Sequence, residues 1–270
     1  VLIRTESLNV ATDEYRSVFI SDVHLGARGS KPGAFQEFLN GIESDTLYLV
    51  GDIIDGWVMR SKKWRQEDSN AIRTLLGKST RGTRICYTPG NHDSFLRRMN
   101  GSEFGFFEIS HSFVHEMADG REFLVVHGDL FDPTCVRYPS IAYLGAWIYE
   151  YLQLLNAMVN RRKAFRRKPI DFCSTLKRVS KGIFSKRSYF DLLLIEHAKE
   201  AGYQGVVCGH LHKPEIRVLS DGFTYVNTGD WVENKTAVVE ELDGKLELIW
   251  FDDWAMDRAG NERQAVGLTS

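Results

Sequence analysis

Residues 17–26 read SVFISDVHLG: an apolar, β-rich run that stops at an acidic residue, a histidine and a glycine. Apolar side chains on both faces of so short a run are the pattern of a central strand covered by other layers. The pattern recurs four times. TLYLVG (46–51) leads into Asp52 and Asp55, RICYT (84–88) into Gly90, Asn91, His92 and Asp93, EFLVVH (122–127) into Gly128 and Asp129, and GVVCG (205–209) into His210 and His212. Each run therefore delivers its polar group at the C-terminal end of a strand.

Helix-like stretches fall between these runs, at 33–42, 67–76 and 189–201, with apolar positions at helical spacing. Three more strand-like segments follow, 223–229, 236–242 and 246–251, the last two separated by Asp243-Gly244, a hairpin signal. Strands alternating with helices, then a run of strands, define an α/β protein with a central mixed sheet and a second sheet or antiparallel edge. The stretch 137–188 has no strand pattern and is expected to be a helical cap inserted within one domain spanning 1–270. The tail, 252–270, is polar and glycine-containing, and is expected to be irregular in part.

The 270 residues are 43% hydrophobic and 26% charged, with net charge -2, which excludes a disordered chain and gives no overall bias toward nucleic acid. Cys86, Cys135, Cys173 and Cys208 form no CxxC pair, and a chain this long with four cysteines fits a reducing compartment. Residues 1–17 are too polar for a signal peptide, so a cytoplasmic location is expected.

If the strands run parallel, their ends converge on one edge, where open α/β folds bind ligands. Asp22, His24, Asp52, Asn91, His127, His210 and His212 would then meet there. Oxygen and nitrogen donors without thiolates suit Mn²⁺, Fe or Zn²⁺. Two carboxylates, one amide and four imidazoles are too many for one ion and fit two sharing a carboxylate. Any one such motif arises often by chance as a satisfied core polar group; five in this order do not.

DVH, GDIID, GNHD, HGD and GHLH together resemble the five-motif signature of the calcineurin-like metallophosphoesterases, from Asp22 to His212. Within that superfamily the FISDVHLG opening, the helical stretch after HGD and the NTGDW segment (227–231) resemble the bacterial UDP-2,3-diacylglucosamine hydrolases of lipid A synthesis. The resemblance implies a four-layer α/β/β/α sandwich. It implies that Asp22, His24 and His212 hold one divalent cation, that Asn91, His127 and His210 hold the other, and that Asp52 bridges them, with Mn²⁺ the expected metal. It further implies that His92 acts near the leaving group and that Asp55 orients its imidazole. One departure stands out: those hydrolases carry Arg where this chain has His92, which bears on substrate choice and leaves the metal ligands untouched.

The stretch 141–159 is apolar apart from Glu150, Gln153 and Asn156, so an amphipathic helix and no transmembrane span is expected there. Arg161, Arg162, Arg166 and Arg167 follow it, within a tract that continues to Arg187 and is offset only by Asp171. An apolar face beside basic residues fits an anionic bilayer surface or an acylated, phosphorylated substrate. Packing of the same face on the core, with solvated charges, explains it equally well. No nucleic-acid partner is expected, because aromatic residues hardly interleave with the tract.

Overall fold

The computed structural model describes residues 12–57, 64–132, 135–136 and 184–267. The strands expected from apolar runs are β1 (Asp13–Ile20), β2 (Ile42–Val50), β3 (Arg84–Thr88), β7 (Glu122–Val125), β8 (Gly205–Cys208), β10 (Thr224–Asn227), β11 (Thr236–Glu240) and β12 (Leu246–Trp250). Four short ones join them: β4 (Ser102–Phe104), β5 (Phe107–Ile109), β6 (Phe113–Glu116) and β9 (Glu215–Val218). The helices are α1 (Pro32–Gly41), α2 (Gln66–Thr80), α3 (Phe184–Glu200) and α4 (Phe251–Gly267).

The strands divide between two sheets. The first runs β12-β11-β1-β2-β3-β5-β4, and the second β6-β7-β8-β10-β9. β1, β2, β3 and β5 are mutually parallel, as are β7, β8 and β10, while β11, β12, β4, β6 and β9 pair antiparallel to their neighbours. The five motif-bearing strands therefore do not end at one sheet edge, as the run pattern suggests; three end in one sheet and two in the other.

Side-chain alternation explains the layering. Val18, Ile20, Leu47, Leu49, Ile85 and Val239 face one way, onto Phe35, Phe38 and Leu39 of α1, Ala71 and Leu75 of α2, and Phe251. Phe19, Tyr48, Val50, Cys86 and Val238 face the other way and meet Phe123, Val125, Val207 and Val226 of the second sheet. The outer face of that sheet, Leu124, Val206, Cys208 and Tyr225, is covered by Phe190, Leu194, Ile195 and Ala198 of α3. The result is the α/β/β/α sandwich. Cys86 and Cys208 are free, buried thiols that pack as small hydrophobes.

Two expectations change. The tail is helical, not irregular: Trp254 of α4 packs against Phe38 with ring centroids 5.1 Å apart and donates Nε1–H to Asp13 at 2.7 Å, while Arg258 donates to the Gly41 carbonyl at 3.1 Å. Docking of one aromatic outweighs the polar average of the segment. Residues 184–188, assigned to the cap, are the first turns of α3. The rest of the expected cap, with Arg161, Arg162, Arg166, Arg167 and Cys173, lies outside the described residues.

Candidate metal centre

The loops beyond the strand ends are stitched together by backbone hydrogen bonds. Asp22 donates its N–H to the Gly51 carbonyl at 3.0 Å, His24 to Asp52 at 2.9 Å and Leu25 to Ile53 at 2.8 Å, so DVH and GDIID travel as a pair. Gly209 donates to His127 at 3.1 Å in the second sheet. Across the two sheets, the His210 N–H reaches Asp22 Oδ2 at 3.0 Å, and His127 Nδ1 lies 2.8 Å from the Val50 carbonyl. Glycines make this approach possible: a Cβ on Gly51, at φ +83°, would run into the His127 ring, and one on Gly90 into both His127 and Asp52.

Six non-glycine residues have φ in the left-handed region among the described residues, and five of them are Asp22, His24, Asp52, His210 and His212. The sixth is Lys235. Such conformations cost on the order of 1 kcal/mol or more each, and persist where surrounding structure enforces them. Here that strain is concentrated on residues expected as ligands.

Asp22, His24 and His212 offer atoms within 4.8 Å of one another, as do Asp22, Asp52 and His127, and His24, Asp55 and His92. Asp22 belongs to two of these groups; Asp52, expected as the bridge, joins Asp22 and His127 in one. His212 Nε2 is 3.0 Å from Asp22 Oδ1, and His127 Nε2 is 3.4 Å from Asp52 Oδ2. Asn91 is flanked by Gly90 and by His92, whose N–H donates to Asp52 Oδ1 at 2.7 Å. His210 stands 5.4 Å from His127, ring centroid to ring centroid, but its Nε2 turns outward to Asp132 and Cys135. His92 Nδ1 is 3.1 Å from Asp55 Oδ2.

Burial and charge compete in this cluster. Burial raises the carboxyl pKa of Asp22, but the His212 charge and hydrogen bonds from His212 and His24 outweigh it and hold the group well below the usual range. Burial likewise opposes the depression of Asp52, which His127 and His92 drive, and that of Asp55, which His24 and His92 drive. Burial lowers the His127 pKa on its own, yet Asp52 and Asp22 raise it to about 10. The other acidic residues of the motifs buttress the loops: Asp93 accepts from Ile53 N at 2.8 Å and Gly90 N at 2.6 Å, and Asp129 takes both its contacts, 2.8 and 2.6 Å, from Arg97.

Whether a cation fits can be judged from atoms left without partners. Among the described residues, eight buried side-chain polar atoms make no well-aligned hydrogen bond, and four of them are Asp22 Oδ1, His24 Nε2, Asn91 Oδ1 and His127 Nε2. Each such atom costs roughly 1–3 kcal/mol, and native interiors hold few of them. Four come from the expected ligand set, and three of these, on Asp22, His24 and His127, belong to the groups whose atoms converge within 4.8 Å. The residues fit.

Asp132, Cys135, Arg97 and Trp57 also stand at the site, and no motif in the sequence marks them. Trp57 stacks on His92 with centroids 3.7 Å apart and planes inclined by 28°. HGDLFD carries Asp132 five residues after His127, but nothing in the chain signals a partner 78 residues away.

The model of the calcineurin-like phosphoesterases matches residues 15–214. The chain belongs to that family, whose members are metal-dependent hydrolases. It is 22% identical over 249 residues to the UDP-2,3-diacylglucosamine hydrolase of Shewanella halifaxensis, covering 87% of this chain and 97% of that one. It is 24% identical over 243 residues to the enzyme of the same name from Xanthomonas campestris pv. campestris, covering 84% and 96%. A solved structure described as a novel archaeal phosphodiesterase is similar at 14% identity and TM-score 0.42, over 87% of this chain and 98% of that one.

Proposed function

We propose that the chain hydrolyses the pyrophosphate bond of UDP-2,3-diacylglucosamine, giving UMP and the acylated sugar monophosphate of lipid A synthesis, with two divalent cations, Mn²⁺ first among them. The observation that carries the reaction class is the convergence of buried carboxylates and imidazoles, Asp22 with His24 and His212, and Asp22 with Asp52 and His127, with atoms such as Asp22 Oδ1 and His127 Nε2 that make no well-aligned hydrogen bond. The substrate rests on the relatives, named as UDP-2,3-diacylglucosamine hydrolases over nearly their whole lengths.

In this reading Asp22, His24 and His212 hold one cation, Asn91, His127 and His210 the other, and Asp52 lies between them. Two divalent cations held by these residues would lower the pKa of water and offset the charge of the phosphate oxygens. The chain's own residues do the rest. Asp55 accepts from His92 Nδ1, which fixes the orientation of the imidazole. His92 Nε2, 4.0 Å from Asp52 Oδ2, is then the nitrogen that gives a proton to the departing oxygen as the phosphorus–oxygen bond breaks. The left-handed backbone at five of the expected ligands fixes them before substrate arrives.

The stretch 141–159 and Arg161, Arg162, Arg166 and Arg167 are assigned to the acyl chains and to the cytoplasmic face of the inner membrane; they lie outside the described residues. Among the described residues no helix is long and apolar enough to cross a membrane. Removing the four arginine charges weakens liposome binding at low salt if the assignment holds.

A second reading in the same reaction class, a phosphatase or phosphodiesterase acting on another nucleotide, phospholipid or phosphoprotein, is favoured by His92 standing where the lipid A hydrolases carry Arg. A scaffold that has lost turnover is disfavoured, since all seven expected ligands and His92 are intact. The test is to assay the protein with Mn²⁺ on UDP-2,3-diacylglucosamine beside non-acylated UDP-sugars, nucleotides and phospholipids. The proposal expects at least a tenfold preference in kcat/KM for the acylated substrate. Equal or better turnover of a soluble nucleotide would overturn it.

A further inference from the structure

The imidazoles at this centre show a regular division of labour between their two nitrogens. His127 places Nδ1 2.8 Å from the Val50 carbonyl, which can only accept, so Nδ1 carries a proton and Nε2 is the nitrogen turned to the carboxylates. That Nε2 lies 3.4 Å from Asp52 Oδ2 and makes no well-aligned hydrogen bond. His24 follows the same order, with Nδ1 3.5 Å from Asp55 Oδ2 and Nε2 3.8 Å from Asp22 Oδ1.

His210 is built the other way round. Its Nε2 lies 3.1 Å from Asp132 Oδ2, and Cys135 Sγ, a weak acceptor, is 3.8 Å from the same nitrogen. Asp132 is itself fixed: its N–H donates to the Asp129 carbonyl at 3.1 Å, its carbonyl accepts from Val136 at 3.1 Å, and Asp129 is gripped by Arg97. The His210 backbone is pinned by its N–H on Asp22 Oδ2 and held at φ +67°, and its ring is bounded by Phe190, with centroids 5.8 Å apart. What remains to be set is which way the ring turns and which nitrogen carries the proton.

We infer that Asp132 is the positioning residue for His210, holding its proton on Nε2 and thereby committing Nδ1 to the cation. The inference rests on the two-cation reading above and adds to it the residue that makes His210 a ligand. A carboxylate on the far nitrogen of a ligating imidazole orients the ring and makes the near nitrogen more basic, and its loss weakens cation binding about 10- to 100-fold. Arg97, Asp129, Asp132 and His210 form one chain of contacts, leading from the turn after GNHD through the turn after HGD to the GHLH loop.

The test uses the full chain, with Mn²⁺ titrated calorimetrically and metal content measured after desalting, on wild type, Asp132→Ala, Asp132→Asn and His210→Ala. Wild type is expected to take two Mn²⁺. In Asp132→Ala one affinity stays within twofold and the other falls about 10- to 100-fold. Asp132→Asn, whose amide oxygen still accepts from Nε2–H, recovers most of that loss. Asp132→Ala added to His210→Ala costs nothing further. An Asp132→Ala protein with both affinities within twofold of wild type overturns the inference. A second readout needs no metal. The ¹⁵N spectrum of the histidines at pH 8 should show His210 protonated on Nε2 in the metal-free wild type and mixed in Asp132→Ala, and an unchanged tautomer also overturns it. Should wild type bind a single Mn²⁺, the two-cation reading fails, while the tautomer measurement still decides the role of Asp132.

Discussion

His92 and Asp55 meet at 3.1 Å, Nδ1 to Oδ2, while the Asp55 Oδ1 atom accepts the Trp57 N–H at 3.1 Å. The carboxylate thus has one oxygen committed to the loop and the other shared between His92 and His24, whose Nδ1 lies 3.5 Å away. If His92 delivers the proton to the leaving oxygen, His92→Ala lowers kcat by about 10²- to 10⁴-fold, the usual contribution of a general acid. Metal content, measured on the same preparation, stays at the wild-type value. Loss of bound metal together with activity would show that His92 supports Asn91 and does no proton transfer.

Trp57 covers the same imidazole with its ring, 3.7 Å between centroids. The stacked indole fixes the plane of the imidazole, and loss of a stacked ring pair, about 0.5–1.5 kcal/mol, converts to roughly 2- to 13-fold in rate if it misplaces the proton donor. Trp57→Ala should lower kcat within that range with KM little changed, and Trp57→Phe should restore most of it. An effect confined to KM would reassign Trp57 to substrate contact.

The motif residues were legible because an apolar strand ending abruptly in Asp, His or Asn is unusual, and five such endings in order are more so. That the strands divide between two sheets was not legible. Val18, Phe19 and Ile20 are apolar on both faces whether the cover is a helix or another sheet, so the run pattern names a buried strand without naming its neighbours. Strands β4, β5, β6 and β9 are three or four residues long and partly exposed, too short for a periodic signal. Helix α4 was hidden because Trp254 and Phe251 stand among acidic and basic residues that dominate the average. At the metal centre the ligands are local to the motifs, whereas partners such as Asp132 are matched only through folding.

Asp52 meets two residues of the centre with its carboxylate: the His92 N–H at 2.7 Å, His127 Nε2 at 3.4 Å and His92 Nε2 at 4.0 Å. Asp52→Ala should abolish metal binding and turnover together. Because a cation that binds only the folded protein stabilises it by about 2.7 kcal/mol at one hundred times its Kd, the wild-type Tm should rise with Mn²⁺ and fall back with chelator. The Tm of Asp52→Ala should respond to neither. Full activity in that variant would exclude Asp52 as the shared ligand.

Away from the centre, Glu240 on β11 is fully buried and joins the two sheets: Oε2 lies 2.8 Å from His115 Nε2, and Oε1 accepts from Ala118 N at 2.8 Å and Arg16 at 3.1 Å. Burial raises its pKa, but the hydrogen bonds from His115 and Ala118 and the charges of His115 and Arg16 prevail, so the folded value lies below the ordinary 4.5. A depressed carboxyl pKa stabilises the fold above the unfolded value, and that contribution is lost as pH falls through the folded value. Acid unfolding below about pH 4.5 should therefore draw partly on Glu240. Glu240→Gln should cost about 1–3 kcal/mol at pH 7, where a charge-assisted bond is replaced by a neutral one. Its stability should also fall less steeply than that of wild type from pH 5 to pH 3. Parallel acid limbs for the two proteins, measured by urea unfolding across that range, would show that Glu240 contributes shape to the sheet interface and no proton linkage.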